Sequence, residues 1–110
     1  MDERSIRLAK NEVVFRAGNE AIDSNRAGSG RRELTFLCEC GVVTCFERIA
    51  VTRTEYEAVR SDPAHFVVAP GHEDLTAGEV VVNESSGYTV VEKTGEGRAI
   101  VERSDPRGSQ

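Results

Sequence analysis

Cys38, Cys40 and Cys45 are the only cysteines in this chain of 110 residues, and they fall within eight consecutive positions. If Cys38 and Cys40 lie on an extended strand they face the same side, with Cα atoms about 6.6 Å apart. That is the upper limit for a disulfide, and side chains standing side by side on one strand do not aim at each other. The intervening Gly41-Val42-Val43-Thr44 is long enough to turn back and bring Cys45 to the same point, with Gly41 free to adopt a positive φ. The chain is therefore constrained to a hairpin-like knuckle on which three thiolates converge. Tetrahedral zinc, with Zn–S bonds of about 2.3 Å and sulfurs roughly 3.8 Å apart, suits such a knuckle.

A closed zinc site needs a fourth donor, and the chain has two histidines, His65 and His72. His72 follows Pro70-Gly71 on a loop that can swing over the knuckle, whereas His65 opens a strand, so His72 is the expected ligand. His65, a carboxylate or a water are the alternatives. The spacing C-x-C-x4-C is not the C-x2-C of common zinc fingers, and buried inert thiols or a Cys40–Cys45 redox pair compete with the metal. Iron can occupy similar thiolate sites. Glu73 is placed to orient His72, while an acid/base role for Glu73 and Asp74 has no nucleophilic serine in a recognisable setting to support it.

Composition makes a metal staple useful. With 38% hydrophobic and 5% aromatic residues and no Trp, the core must rest on Val, Ile, Leu, Ala and a few Phe. A domain this small has stability of only about 5–15 kcal/mol. The net charge of −5 argues against nonspecific binding to nucleic acid, which needs Lys and Arg to displace counterions. Arg26, Arg31 and Arg32 are the local exception and read as a solvated Gly/Ser-rich hinge over Asn25 to Arg32, without the ending of a phosphate loop. No window approaches the roughly 18 apolar residues of a membrane span, and Met1 to Arg4 lead into no apolar leader. The expectation is a cytoplasmic protein, where clustered cysteines are metal ligands or redox groups more often than disulfides.

The fold expected is α+β, a single domain with an N-terminal helix over residues 1–24, a zinc-stapled core over 33–103 and a disordered tail over 104–110. Leu8, Phe15 and Ile22 at heptad spacing, beside Val14, Gly18 and Ala21, mark the apolar stripe of the first helix, with Lys10, Glu12, Arg16 and Glu20 on its polar side. Strands are expected over Glu33–Cys38, Phe46–Val51 and His65–Ala69. A hairpin over Glu79–Asn83 and Tyr88–Lys93 follows, with a last strand over Arg98–Arg103, giving a mostly antiparallel sheet of roughly four to six strands. Thr52-Arg53-Thr54-Glu55 has capping-box spacing for a short helix carrying Tyr56, Val59 and Arg60 and ending before Pro63.

Phe36-Leu37-Cys38-Glu39-Cys40-Gly41, the third cysteine, Glu55 to Arg60 and Phe66 to Glu73 together resemble a family of small actinobacterial proteins with no assigned function. The likeness runs from Leu34 to about Lys93 and includes pieces of the first helix; the apolar Val42-Val43 turn departs from it. It implies that Cys38, Cys40, Cys45 and His72 belong to a shared Cys3His pattern, and it lends no activity.

The expected role is a non-enzymatic zinc-binding module for protein interaction or regulation. Its acidic balance favours a protein partner with a basic face over nucleic acid or membrane. A thiol redox sensor that releases zinc on oxidation, and a small metal-dependent enzyme with an open coordination position, are the alternatives.

Overall fold

The capping box of the sequence forms as written and starts α2, Arg53–Val59. Thr52 Oγ1 accepts from the Glu55 N–H at 3.0 Å, and Glu55 Oε1 accepts from the Thr52 N–H at 2.9 Å. The computed structural model describes residues 3–26 and 33–107. Positions 27–32 of the expected hinge and 108–110 of the expected tail lie outside the described residues.

Ahead of α2, β1 (Glu33–Leu37) and β2 (Arg48–Thr52) pair antiparallel with Leu34 opposite Val51 and Phe36 opposite Ile49. Their period-2 pattern buries these four side chains on one face. Tyr56 of α2 stacks on Phe36 with ring centroids 4.4 Å apart, tying helix to sheet. After α2 comes β3 (His65–Val68), then a turn of 3-10 helix (Leu75–Ala77), then β4 (Glu79–Glu84) and β5 (Thr89–Lys93). These strands form a second antiparallel sheet in the order β3-β5-β4. The segment leaving β1 bridges the two sheets, since the Glu39 N–H donates to Val67 O at 2.9 Å. One core runs through both, from Leu34 and Phe36 to Phe66, Val67, Val90 and Val91.

Helix α1 spans Glu3–Asn25, but the face it buries is not the expected one. Ala9, Glu12, Arg16, Asn19 and Asp23 are buried, while Leu8, Phe15 and Ile22 are half-buried and Val14 and Ala21 are exposed. The polar stripe goes inward because each group finds a partner there. Lys93 Nζ lies 3.1 Å from Glu12 Oε1 and 3.4 Å from Glu79 Oε2. Arg16 donates to Pro63 O at 2.7 Å and Val101 O at 2.8 Å, with its guanidinium 4.8 Å from the Phe66 ring centroid. Buried polar groups are tolerated when paired in this way.

The strand expected over Arg98–Arg103 is instead a helix, α3, Glu96–Arg103. Gly97 and Val101, one turn apart, are buried, and Arg98 pairs with Glu102 at 2.9 Å across the i,i+4 interval. Gly97 lets the helix approach closely: a Cβ there would sit 2.9 Å from Lys93 Cε and 3.6 Å from Ala9 Cβ. Residues 104–107 of the expected tail lie against the body of the domain. Asp105 pairs with the buried Arg60, and Arg107 Nη2 lies 2.9 Å from Glu57 Oε2 and its Nε 2.7 Å from Glu20 Oε2.

Candidate metal centre

Where β1 ends, the Cys38 N–H donates to Glu47 O at 3.2 Å, which carries the pairing with the second strand one residue further before the chain bends at Cys40. Alternation sends Glu39 to the opposite side. Its carboxylate is fully buried, with Oε2 accepting from Asn19 Nδ2 at 2.8 Å and Oε1 from the Val67 N–H at 3.0 Å. Burial pushes the Glu39 carboxyl up to about 7 against those hydrogen bonds. Asn19 also grips the backbone of Leu37, donating to its carbonyl at 2.9 Å and accepting from its N–H at 2.8 Å. With Glu39 anchored inward, Cys38 and Cys40 are aimed the other way.

Gly41 then turns the chain at φ +83°, against α1. A Cβ there would meet Glu12 Cγ, Leu8 Cδ1 and Leu8 O, each at 2.9 Å. Only glycine meets both the dihedral and the close approach. The Cys45 N–H donates to Val42 O at 2.9 Å and closes the knuckle. On the other side, the Ala69 N–H at the end of β3 donates to Cys38 Sγ at 3.1 Å. Gly71 at φ +87° and a His72 N–H to Ala69 O bond of 2.9 Å fold the loop back.

These two turns bring His72 Nδ1 to 3.5 Å from both Cys38 Sγ and Cys45 Sγ. One donor atom from each of Cys38, Cys40, Cys45 and His72 lies within 4.8 Å of the others. Cys38 and Cys40 are buried, and Cys45 and His72 half-buried. Hydrogen bonding between the Cys38 and Cys40 thiols is the main influence on both: it holds Cys40 down to about 5 and pushes Cys38 up, with burial adding to the rise. A thiol already held toward thiolate is what a metal ligand requires. Three sulfurs and one imidazole nitrogen can hold a metal ion as a closed tetrahedral set.

His65 stands apart from this centre. Its Nε2 lies 3.0 Å from Glu92 Oε1 and 3.4 Å from Asp62 Oδ2. Glu73 Oε1 is buried without a hydrogen-bond partner, so the expected support of His72 is not made through that oxygen. Asp74 is occupied structurally, with Oδ2 2.6 Å from Arg4 Nη2 and Oδ1 capping the 3-10 turn at Thr76. Asn19 and Glu39, the clamp behind the cysteines, lie outside the candidate residues of the sequence. The alternating C-E-C pattern was the available signal for Glu39; nothing local marks Asn19. No helix is long and apolar enough to cross a membrane among the described residues. No protein-family model, curated protein or solved structure matches the chain.

Proposed function

We propose that the chain is a non-enzymatic zinc-binding protein in which Cys38, Cys40, Cys45 and His72 hold one ion, and that it serves as a cytoplasmic module for protein interaction or regulation. The observation that carries this reading is the meeting of the four donors from the β1–β2 knuckle and the loop after β3. Zinc bound there would supply a tetrahedral cross-link with no open position for water, which suits a structural rather than a hydrolytic role. Apparent binding free energies of about 10–16 kcal/mol for such sites match or exceed the stability of a small domain. The resemblance of the knuckle and its flanks to small actinobacterial proteins is taken, within this proposal, as kinship.

The interaction surface is the knuckle itself. Val42, Val43 and Phe46 stand exposed on it, Phe46 at 78%. Exposed apolar side chains grouped on a rigid turn favour protein contact, and the net charge of −5 favours a partner with a basic face. Affinity capture with zinc-loaded wild type and a Val43→Ser/Phe46→Ser variant tests this part. A partner held by wild type and lost by the variant supports it; an unchanged set of partners contradicts it.

The half-exposed position of Cys45 favours a second reading, a thiol redox sensor. In this reading a peroxide takes two electrons from the Cys40 and Cys45 thiolates. An S–S bond forms, the O–O bond breaks to two waters with uptake of two protons, and zinc leaves. Reversible, stoichiometric zinc release by peroxide would select this reading over a static scaffold.

A further inference from the structure

Asp62, His65 and Glu92 form a second group of metal-ligand type, with one donor atom from each within 4.8 Å of the others. The backbone fixes all three. His65 and Glu92 are direct cross-strand partners on β3 and β5. Asp62 lies in the turn just before β3, where its carbonyl accepts the His65 N–H at 3.1 Å.

Each carboxylate has one oxygen engaged outward and the other turned to the imidazole. Asp62 Oδ1 accepts the Ala64 N–H at 2.9 Å, leaving Oδ2 at 3.4 Å from His65 Nε2. Glu92 Oε2 lies 3.0 Å from Arg98 Nη1, leaving Oε1 at 3.0 Å from His65 Nε2. Donors about 2.0–2.2 Å from one ion at angles between 90° and 109° are separated by roughly 2.9–3.5 Å, a range that holds both contacts of His65 Nε2, while the two carboxylates lie within 4.8 Å of each other. Engaging the far oxygen of a ligating carboxylate is how outer partners orient metal ligands. All three side chains are partly exposed, which leaves an entry path, and His65 also lines a cleft of about 350 Å³ with Tyr88, Val82 and Val90.

We propose that Asp62, His65 and Glu92 form a second, open site for a divalent first-row transition ion, with the remaining coordination positions filled by water or a ligand. One nitrogen and two carboxylate oxygens suit zinc, cobalt or manganese rather than a soft ion such as copper(I). Arg98 offsets part of the carboxylate charge, so this site is weaker and more exchangeable than the thiolate centre.

Cobalt(II) titration of the reduced, metal-free chain tests this, read by absorbance and by bound-metal stoichiometry. The wild type takes up two equivalents: one with an intense thiolate-to-cobalt band, the other with only weak d–d bands. His65→Ala and Glu92→Gln each keep the first and weaken the second by at least about tenfold, with folding checked by circular dichroism. Uptake that stops at one equivalent in wild type overturns the proposal, as does a second equivalent retained in both variants. Loss of the thiolate band with the weak-band equivalent retained would count against the Cys3His reading and leave this one standing.

Discussion

The sulfur of Cys38 accepts a hydrogen bond from the backbone N–H of Ala69 at 3.1 Å, joining the exit of β1 to the exit of β3. Three residues beyond Ala69 stands His72, so this bond ties together the two arms that carry the candidate ligands. An N–H···S bond also stabilises a thiolate, as ligation demands.

Asn19 holds the other side of the knuckle through Leu37 and Glu39. Asn19→Ala leaves partly buried backbone groups of Leu37 and the buried Glu39 carboxyl short of a partner, and should cost about 2–3 kcal/mol. Urea unfolding of the metal-loaded protein measures it. A change under about 0.5 kcal/mol, the range of an ordinary surface substitution, would show that the clamp is unimportant.

Gly41→Ala combines a positive φ with close contacts to Glu12 and Leu8. The expected loss is about 2–3 kcal/mol, because an alanine at this dihedral is strained even before α1 is displaced. Thermal unfolding beside a Gly71→Ala control separates the two causes. Gly71 shares the positive φ, but an added Cβ there meets nothing within 4 Å, so its loss should be smaller.

Glu12 predicts a pH dependence. Burial, reinforced by Glu79 and opposed by Lys93, raises its carboxyl from 4.5 to about 10. The folded state therefore keeps a proton that the unfolded chain releases near pH 4.5. The stability this group contributes is fully present below that pH and is lost progressively as pH rises toward about 10. Unfolding free energies at about pH 6 and about pH 9 should show the decline, and Glu12→Gln should flatten it. An equal decline in the variant would assign the effect to other groups.

Chelation should loosen the half of the molecule that depends on the centre. Treating the reduced protein with a strong zinc chelator is expected to lower its melting temperature by well over 10 °C, given about 4–8 °C per kcal/mol for a domain of this size. Zinc should restore it. An unchanged melting curve would mean that the core alone carries the fold.

Much of this architecture is legible in the sequence because its signals are local. The capping box at Thr52 and Glu55, the period-2 strands and the β4–β5 hairpin each depend on neighbours within a few residues. The cysteine knuckle and the Gly71 turn are equally local, but the meeting of His72 with Cys38 and Cys45 is long-range, and its expectation rests on the need of a closed zinc site for a fourth donor. The inward face of α1 could not be read locally. Glu12 and Arg16 read as part of a polar side until Lys93 and Val101, distant in sequence, are placed against them, and Asn19 gains its role only beside Glu39. The last helix was missed because Ile100-Val101 suggests a strand, while the Gly97 to Val101 interval gains meaning only once α1 packs there. The Asp62–His65–Glu92 group is hidden for the same reason, since Glu92 meets His65 only through sheet register.

Cys38, Cys40, Cys45 and His72 are proposed to hold one tightly bound zinc ion. The most direct test is the metal content, after gel filtration, of reduced protein purified without chelator, beside Cys45→Ser and His72→Ala. One tightly held zinc per wild-type chain and a sharp fall in both variants is the expected result. Reduced wild-type protein carrying no metal, or variants that keep it fully, would contradict it.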